Sequence, residues 1–129
     1  REYGLNVGVA FQIKDDELGI FGDSSVTGKS SGNDIRTGKH TIFKKYATDL
    51  AIGNDKEILE KSFGNRDLGE EVIDQVRNII EKTGAREKAM VKARSLLNEG
   101  KKYVPLITKD EYWQKVLIQL ADYMVEREK

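Results

Sequence analysis

Residues 8–41 read GVAFQIKDDELGIFGDSSVTGKSSGNDIRTGKHT, and the character of the chain changes within them at Gly22. Up to Phe21 the residues suit a helix. Phe11, Gln12, Asp15 and Asp16 stand at offsets of three and four, so a helix projects Gln12, Asp15 and Asp16 from one side, with Phe11 one turn below Asp15. Two carboxylates about 6 Å apart at an effective dielectric of about 20 repel by roughly 3 kcal/mol. A bound dication removes that penalty. Hard oxygen ligands with no His or Cys nearby favour Mg²⁺ or Mn²⁺ over zinc, and Mg²⁺ takes one or two carboxylates and completes its octahedron with water and phosphate oxygens. The pattern therefore asks for a phosphorylated ligand.

From Gly22 onward GDSSVTGKSSGND is rich in Gly, Ser, Asn and Asp, which is turn chemistry, so the helix ends and a loop is expected over residues 24–40. That loop carries Lys29, Asp34, Arg36 and Lys39. Cations beside a carboxylate-bound metal suit a diphosphate, whose charge neither could hold alone. Arg36 reads as a surface or intrahelical charge, and His40, the single histidine, as exposed or packed. GDSSVTGKS imitates a P-loop, but five residues separate Gly22 from Gly28 where four are needed, and no strand precedes it.

The remainder, residues 41–129, reads as helical scaffold. Ile42, Phe43, Tyr46, Ala47, Leu50 and Ala51 form an apolar stripe that Gly53 ends. Asn54 or Asp55 is expected to cap a short helix through Phe63. A helix from about Asp67 carries Leu68, Val72, Val76, Ile79 and Ile80, and Gly84 breaks it. Ala85 to Gly100 turns Ala89, Ala93, Leu96 and Leu97 inward and the AREK run of residues 85–88, Lys92 and Arg94 outward, its small residues suggesting a close neighbour. Pro105 closes the next connection. Thr108 with Glu111 has the form of a capping box, and the last helix, to about Glu126, aligns Trp113, Val116, Leu117, Leu120 and Met124, with Trp113 and Tyr112 expected at core and rim. No alternating strand run and no repeat occur, so the fold class is all-α.

At 129 residues the chain is one domain by length. Its 22 basic and 22 acidic residues cancel, which argues against a general nucleic-acid or membrane surface. The absence of Cys excludes disulfides and thiolate metal sites, and no apolar run is long enough for a membrane span. A cytoplasmic protein is expected.

FQIKDDELGIFGD followed by TGK, ND and GKHT resembles the second aspartate-rich region of the trans-isoprenyl diphosphate synthases, the family of the farnesyl and geranylgeranyl diphosphate synthases. The resemblance covers Gly8 to Thr41, and the helical remainder suits the C-terminal part of that family's helical bundle. It implies a metal helix over 1–23 and a diphosphate loop over 24–40. Asp15 and Asp16 match the first two acids of the second DDxxD motif, which bind Mg²⁺, with Mn²⁺ an alternative. Phe11 and Gln12 match the pair lining the allylic pocket, Lys29 and Lys39 the lysines that hold the allylic diphosphate, and Asp34 an acid that helps at the metal site. The third acid of the motif would fall at position 19, and here it is Gly19. Some members resembling archaeal geranylgeranyl diphosphate synthases read DDxxG.

The activity so implied is condensation of isopentenyl diphosphate with an allylic diphosphate by a Mg²⁺-dependent prenyltransferase, usually a homodimer. The resemblance also implies that the first aspartate-rich motif lies outside these residues and that the 129 residues alone are inactive. Two alternatives stand beside it. One is a non-catalytic partner subunit of a synthase, for which Gly19 speaks. The other is a terpene cyclase, against which the run from Gly28 to Lys39 argues. Product length is not legible, because the family sets it next to the first motif.

Overall fold

The computed structural model describes residues 1–22 and 32–126, and every regular element among them is an α-helix. The helices are α1 (Glu2–Phe21), α2 (Asn33–Thr37), α3 (Ile42–Leu50), α4 (Gly53–Ser62), α5 (Glu70–Lys82), α6 (Ala85–Lys101), α7 (Val104–Ile107) and α8 (Glu111–Glu126). The chain divides into two compact units, one of Arg1–Lys14 with the chain from Met90 onward, the other of Asp15–Ala89. No helix among the described residues is long and apolar enough to cross a membrane.

The second unit is built on α3, α4 and α5, which pack on one another. Thr41 starts α3 as its sequence suggests, its hydroxyl accepting the Lys44 N–H at 3.1 Å. Phe43 and Ala47 of the expected stripe are fully buried, whereas Leu50, at the helix end, is 42% exposed. α4 begins at Gly53 behind Ile52, with no side-chain cap. The caps expected of Asn54 or Asp55 are therefore not made; the Asp55 carboxylate instead pairs with Lys82 at 2.6 Å. α5 starts at Glu70, and Ile73, Val76, Ile79 and Ile80 are its buried side, with Leu68 and Val72 only half-buried. Val72 and Ile73 are both apolar, so the pattern left the centre of the stripe open by one residue, and packing chose Ile73.

The first unit joins the start of α1 to the later part of α6. A Cβ on Gly100 would lie 3.1 Å from Val7 Cγ2 and 3.2 Å from Asn6 Cβ, so the small residue sets the close approach that the sequence suggested. Tyr3 donates its hydroxyl to the Leu117 carbonyl at 2.7 Å, and burial raises its pKa. Pro105 does not merely close a connection: it lies in the first turn of α7, where its missing N–H costs nothing. The expected capping box at Thr108 is also corrected. Asp110 caps α8 by accepting the Tyr112 N–H at 2.9 Å, and Thr108 accepts the Asp110 N–H at 3.2 Å. The helix begins at Glu111, so the residue just before it is the one placed to reach the second N–H.

The buried side of α8 is Ala121 and Val125, with Leu117 and Met124 half-buried. Trp113 and Tyr112 are neither core nor rim: they are 55% and 66% exposed and stack edge to face at 5.2 Å. Leu120 is exposed as well.

Candidate functional site

The last two turns of α1 bury charge. Asp16 and Glu17 are 6% and 7% exposed, and Ile20 is fully enclosed. Carboxylates at that depth need cations or hydrogen-bond donors. Asp16 is met by the Lys39 ammonium at 3.1 Å and Glu17 by Arg86 Nε at 3.1 Å. Arg86 also pairs with Glu81 and stacks its guanidinium 3.9 Å from the centre of the Phe21 ring. Burial pulls its pKa down, and its bonds to Glu81 and Glu17 outweigh this and raise it.

A second arginine holds the helix end itself. Arg77 donates from Nε to the Ile20 carbonyl at 2.6 Å and from Nη1 to Asp74 at 2.7 Å. The last turn of α1 carries no basic residue of its own. Arg77 on α5 and Arg86 on α6 supply the positive charge that the carbonyl end of a helix favours.

Lys39 is aimed by the turn before it. The sequence reads this region as loop, but residues 33–37 form the short helix α2, which Gly38 stops at φ 69°. At that φ a side chain is strained, and a Cβ would meet Gly64 Cα at 3.0 Å. The Gly38 N–H bonds the carbonyls of Asp34 and Ile35, the Lys39 N–H donates to the Asp34 carbonyl at 3.1 Å, and the Gly64 N–H reaches the Ile35 carbonyl at 2.9 Å. The chain is thus turned back so that Lys39 faces α1. Its hydrogen bond to Asp16 raises the ammonium above its ordinary pKa; partial burial opposes this, and the charges of Asp16, Asp34 and Asp15 add to it.

Asp34 completes the cluster from α2. Its carboxylate lies against the bare Cα of Gly19: a Cβ built there would stand 2.7 Å from Asp34 Cγ and 3.1 Å from Oδ1, with Oδ2 nearer. Asp15, half-buried on α1, is the third acid acting on Lys39. No three acidic or histidine side chains among the described residues converge closely enough to hold an ion on their own. Mg²⁺ does not require that, since it keeps waters and phosphate oxygens in its shell. The hard-oxygen donors, with an ammonium already drawn among them, fit such an ion.

The structure therefore brings together Asp15, Asp16, Asp34 and Lys39 of the residues expected from the sequence. Phe11 and Gln12 lie earlier on α1, half-buried and exposed. Lys29 lies outside the described residues. His40 is exposed, as read. Arg36 is neither a surface nor an intrahelical charge: its Nε donates to the Leu68 carbonyl at 3.0 Å and its Nη2 to Glu70 at 3.2 Å, tying α2 to the start of α5. Arg86, read as outward, is the partner of Glu17. Glu17 and Arg77 were not legible as site supports. Arg77 stands three residues after Asp74, and that spacing alone suggests an intrahelical pair and nothing of Ile20.

An all-helical protein that gathers carboxylates and a lysine at the end of one long helix is suited to a metal-bound polyanion. Residues 1–80 match the polyprenyl synthetase family, and the chain belongs to it. It is 35% identical, over 99% of its length and 39% of the relative's, to the geranylgeranyl diphosphate synthase of Saccharolobus solfataricus. Its fold matches the crystal structure of geranylgeranyl pyrophosphate synthase from Corynebacterium glutamicum, complexed with isoprenyl diphosphate and magnesium, with a TM-score of 0.89 and 31% identity over 98% of this chain and 36% of that one. The polyprenyl synthase of Caulobacter crescentus, complexed with calcium and isoprenyl diphosphate, matches at 0.88 and 31% identity over 100% of this chain and 39% of that one. The chain thus spans about two fifths of the length of the curated relatives it matches.

Proposed function

We propose that these residues carry the second aspartate-rich half of a Mg²⁺-dependent prenyltransferase that joins isopentenyl diphosphate to an allylic diphosphate. The observation that carries the reading is the meeting of Asp16, Asp34 and Lys39 at the end of α1. Asp15, Asp16 and Asp34 would hold Mg²⁺, which when bound draws charge onto the leaving diphosphate and eases ionisation of the allylic C–O bond. Lys39, with Lys29, holds the diphosphate, and Phe11 and Gln12 shape the allylic pocket.

In this reading Lys39 changes partners. Its ammonium balances the buried Asp16 carboxylate, and 44% of the lysine side chain remains exposed. It is therefore able to turn to a phosphate oxygen when a metal takes over the neutralisation of Asp16. A homodimer and a cytoplasmic location belong to the same reading. Gly19 gives less weight to the alternative of a non-catalytic partner subunit, because the Asp34 carboxylate occupies the space beside it.

The test is incorporation of labelled isopentenyl diphosphate by the intact protein with an allylic diphosphate and Mg²⁺. Incorporation is expected with Mg²⁺ and lost on chelation. Asp15→Ala is expected to lower turnover by about 10²–10³-fold while leaving the unfolding midpoint in place. Equal loss of activity and stability would refute a metal role for Asp15.

A further inference from the structure

The acids of the candidate site come from two elements, Asp15 and Asp16 from α1 and Asp34 from α2, and one side chain of α5 touches both elements. Ile20 stands in the last turn of α1, where a helix has no N–H of its own for its carbonyls. Arg77 meets that carbonyl with Nε at 2.6 Å, and its Nη1 is held by Asp74, three residues earlier on α5, at 2.7 Å. The remaining nitrogen faces α2. A Cβ built on Gly32, which precedes α2, would lie 3.1 Å from Arg77 Nη2 and 2.5 Å from Ile73 Cγ2. Gly32 has φ 76°, so glycine is needed there twice, for the backbone conformation and for the approach to α5. Arg36 ties α2 to the start of α5 as well, through the Leu68 carbonyl and Glu70.

A guanidinium is planar, so its nitrogens stand at fixed separations, whereas an ammonium is a point charge on a flexible stem. The Arg77 side chain is only 17% exposed, which shelters its contacts from water. Both contacts lie close to the acids. Ile20 follows Asp16 by four residues, about one helical turn, and Gly32 precedes Asp34 by two.

We propose that Arg77 is a positioning residue: its guanidinium is a strut between the end of α1 and the start of α2 that fixes how far Asp15 and Asp16 stand from Asp34. The proposal rests on the reading of those three acids as metal-holding residues, and adds to it what sets their separation. Favouring the carbonyl end of a helix by charge alone is a role that lysine fills equally well. A strut needs the fork, so Arg77→Lys separates the two roles.

Two measurements on the intact protein test this without turnover. The first is hydrogen exchange without ligand, read on peptides that cover the last turn of α1 and α2. Arg77→Lys is expected to speed exchange in both by about tenfold, the lower end of what a hydrogen bond to a charged group contributes, with its unfolding midpoint near that of wild type. The second is Mn²⁺ binding, followed by the EPR signal of the free aquo ion with inorganic pyrophosphate present. Arg77→Lys is expected to weaken it by about tenfold, the lower end of what loss of an orienting partner brings. Wild-type Mn²⁺ affinity in Arg77→Lys, or faster exchange confined to α1, overturns the proposal. Should Arg77→Lys fail to fold, Asp74→Asn decides, since it keeps the arginine and removes the charge that holds Nη1. Faster exchange in α1 and α2 together, with weaker Mn²⁺ binding, then supports the strut, and the absence of either overturns it. Asp15→Ala separates the two levels. If it binds Mn²⁺ as wild type does, the metal reading falls and takes the proposal with it; if it loses binding while Arg77→Lys keeps it, only the role of Arg77 falls.

Discussion

At the end of α1, in the second unit, Asp16 and Glu17 are 6% and 7% exposed, while in the first unit Leu106 of α7 and Trp113 of α8 keep 76% and 55% of their surface in solvent. Each region reverses the usual placement of its residue type, and the two reversals have different physical consequences. Buried carboxylates are costly unless each is paired, so the second unit spends Lys39, Arg77 and Arg86 on holding one helix end. Exposed apolar side chains cost the folded chain little by themselves, since the unfolded chain exposes them too. Substitutions should therefore be felt strongly in the first case and weakly in the second.

The largest effect on stability is expected at Arg86. Arg86→Ala removes the guanidinium that pairs with the buried Glu17, and about 3 kcal/mol should be lost, the low end for breaking a buried pair because the arginine is one-third exposed. Chemical denaturation measures it, with Arg86→Lys expected to restore part of the loss. A loss under about 1 kcal/mol, in the range of exposed pairs, would mean that water reaches Glu17 and that the contrast between the units is weaker than drawn.

A middle-sized effect should separate Asp110 from Thr108. Asp110→Ala removes the cap of α8 and should cost about 1 kcal/mol. Thr108→Ala removes only the hydroxyl that accepts the Asp110 N–H and should cost less. The opposite order in thermal unfolding would restore Thr108 as the true cap.

The smallest effect is expected at Leu106. Leu106→Gln should change unfolding free energy by no more than about 0.5 kcal/mol, as for surface positions generally. A loss comparable to that of Arg86→Ala, read by the same denaturation and checked against protein concentration, would show that this face is covered in solution.

Much of the fold was legible along the chain. Phe43 with Ala47, and Val76 with Ile79 and Ile80, fall at helical spacing, and both Gly53 and Gly84 stand at helix boundaries. Errors arose where two neighbouring residues could serve equally, as with Val72 and Ile73, or Thr108 and Asp110. There the choice rests on helix phase and start, which a shift of one or two residues reverses. Trp113 was misplaced for another reason: its spacing puts it with Leu117 and Leu120, but the buried edge of α8 runs through Ala121 and Val125.

The candidate site divides in the same way. Asp15 and Asp16 stand out in the sequence because neighbouring carboxylates on a helix are a local pattern with a local electrostatic cost, whereas Asp34 and Lys39 were expected beside them from the loop that carries them and from the family resemblance. Sequence alone also determined the helical class, from its apolar periodicity. Only the tertiary structure decided that Lys39 meets Asp16 at 3.1 Å, that Asp34 occupies the space beside Gly19, and that Arg77 and Arg86 hold the end of α1. Those contacts join residues 15 to 69 positions apart in the chain. Their partners are chosen by how helices pack, and no spacing rule within one helix reaches that far.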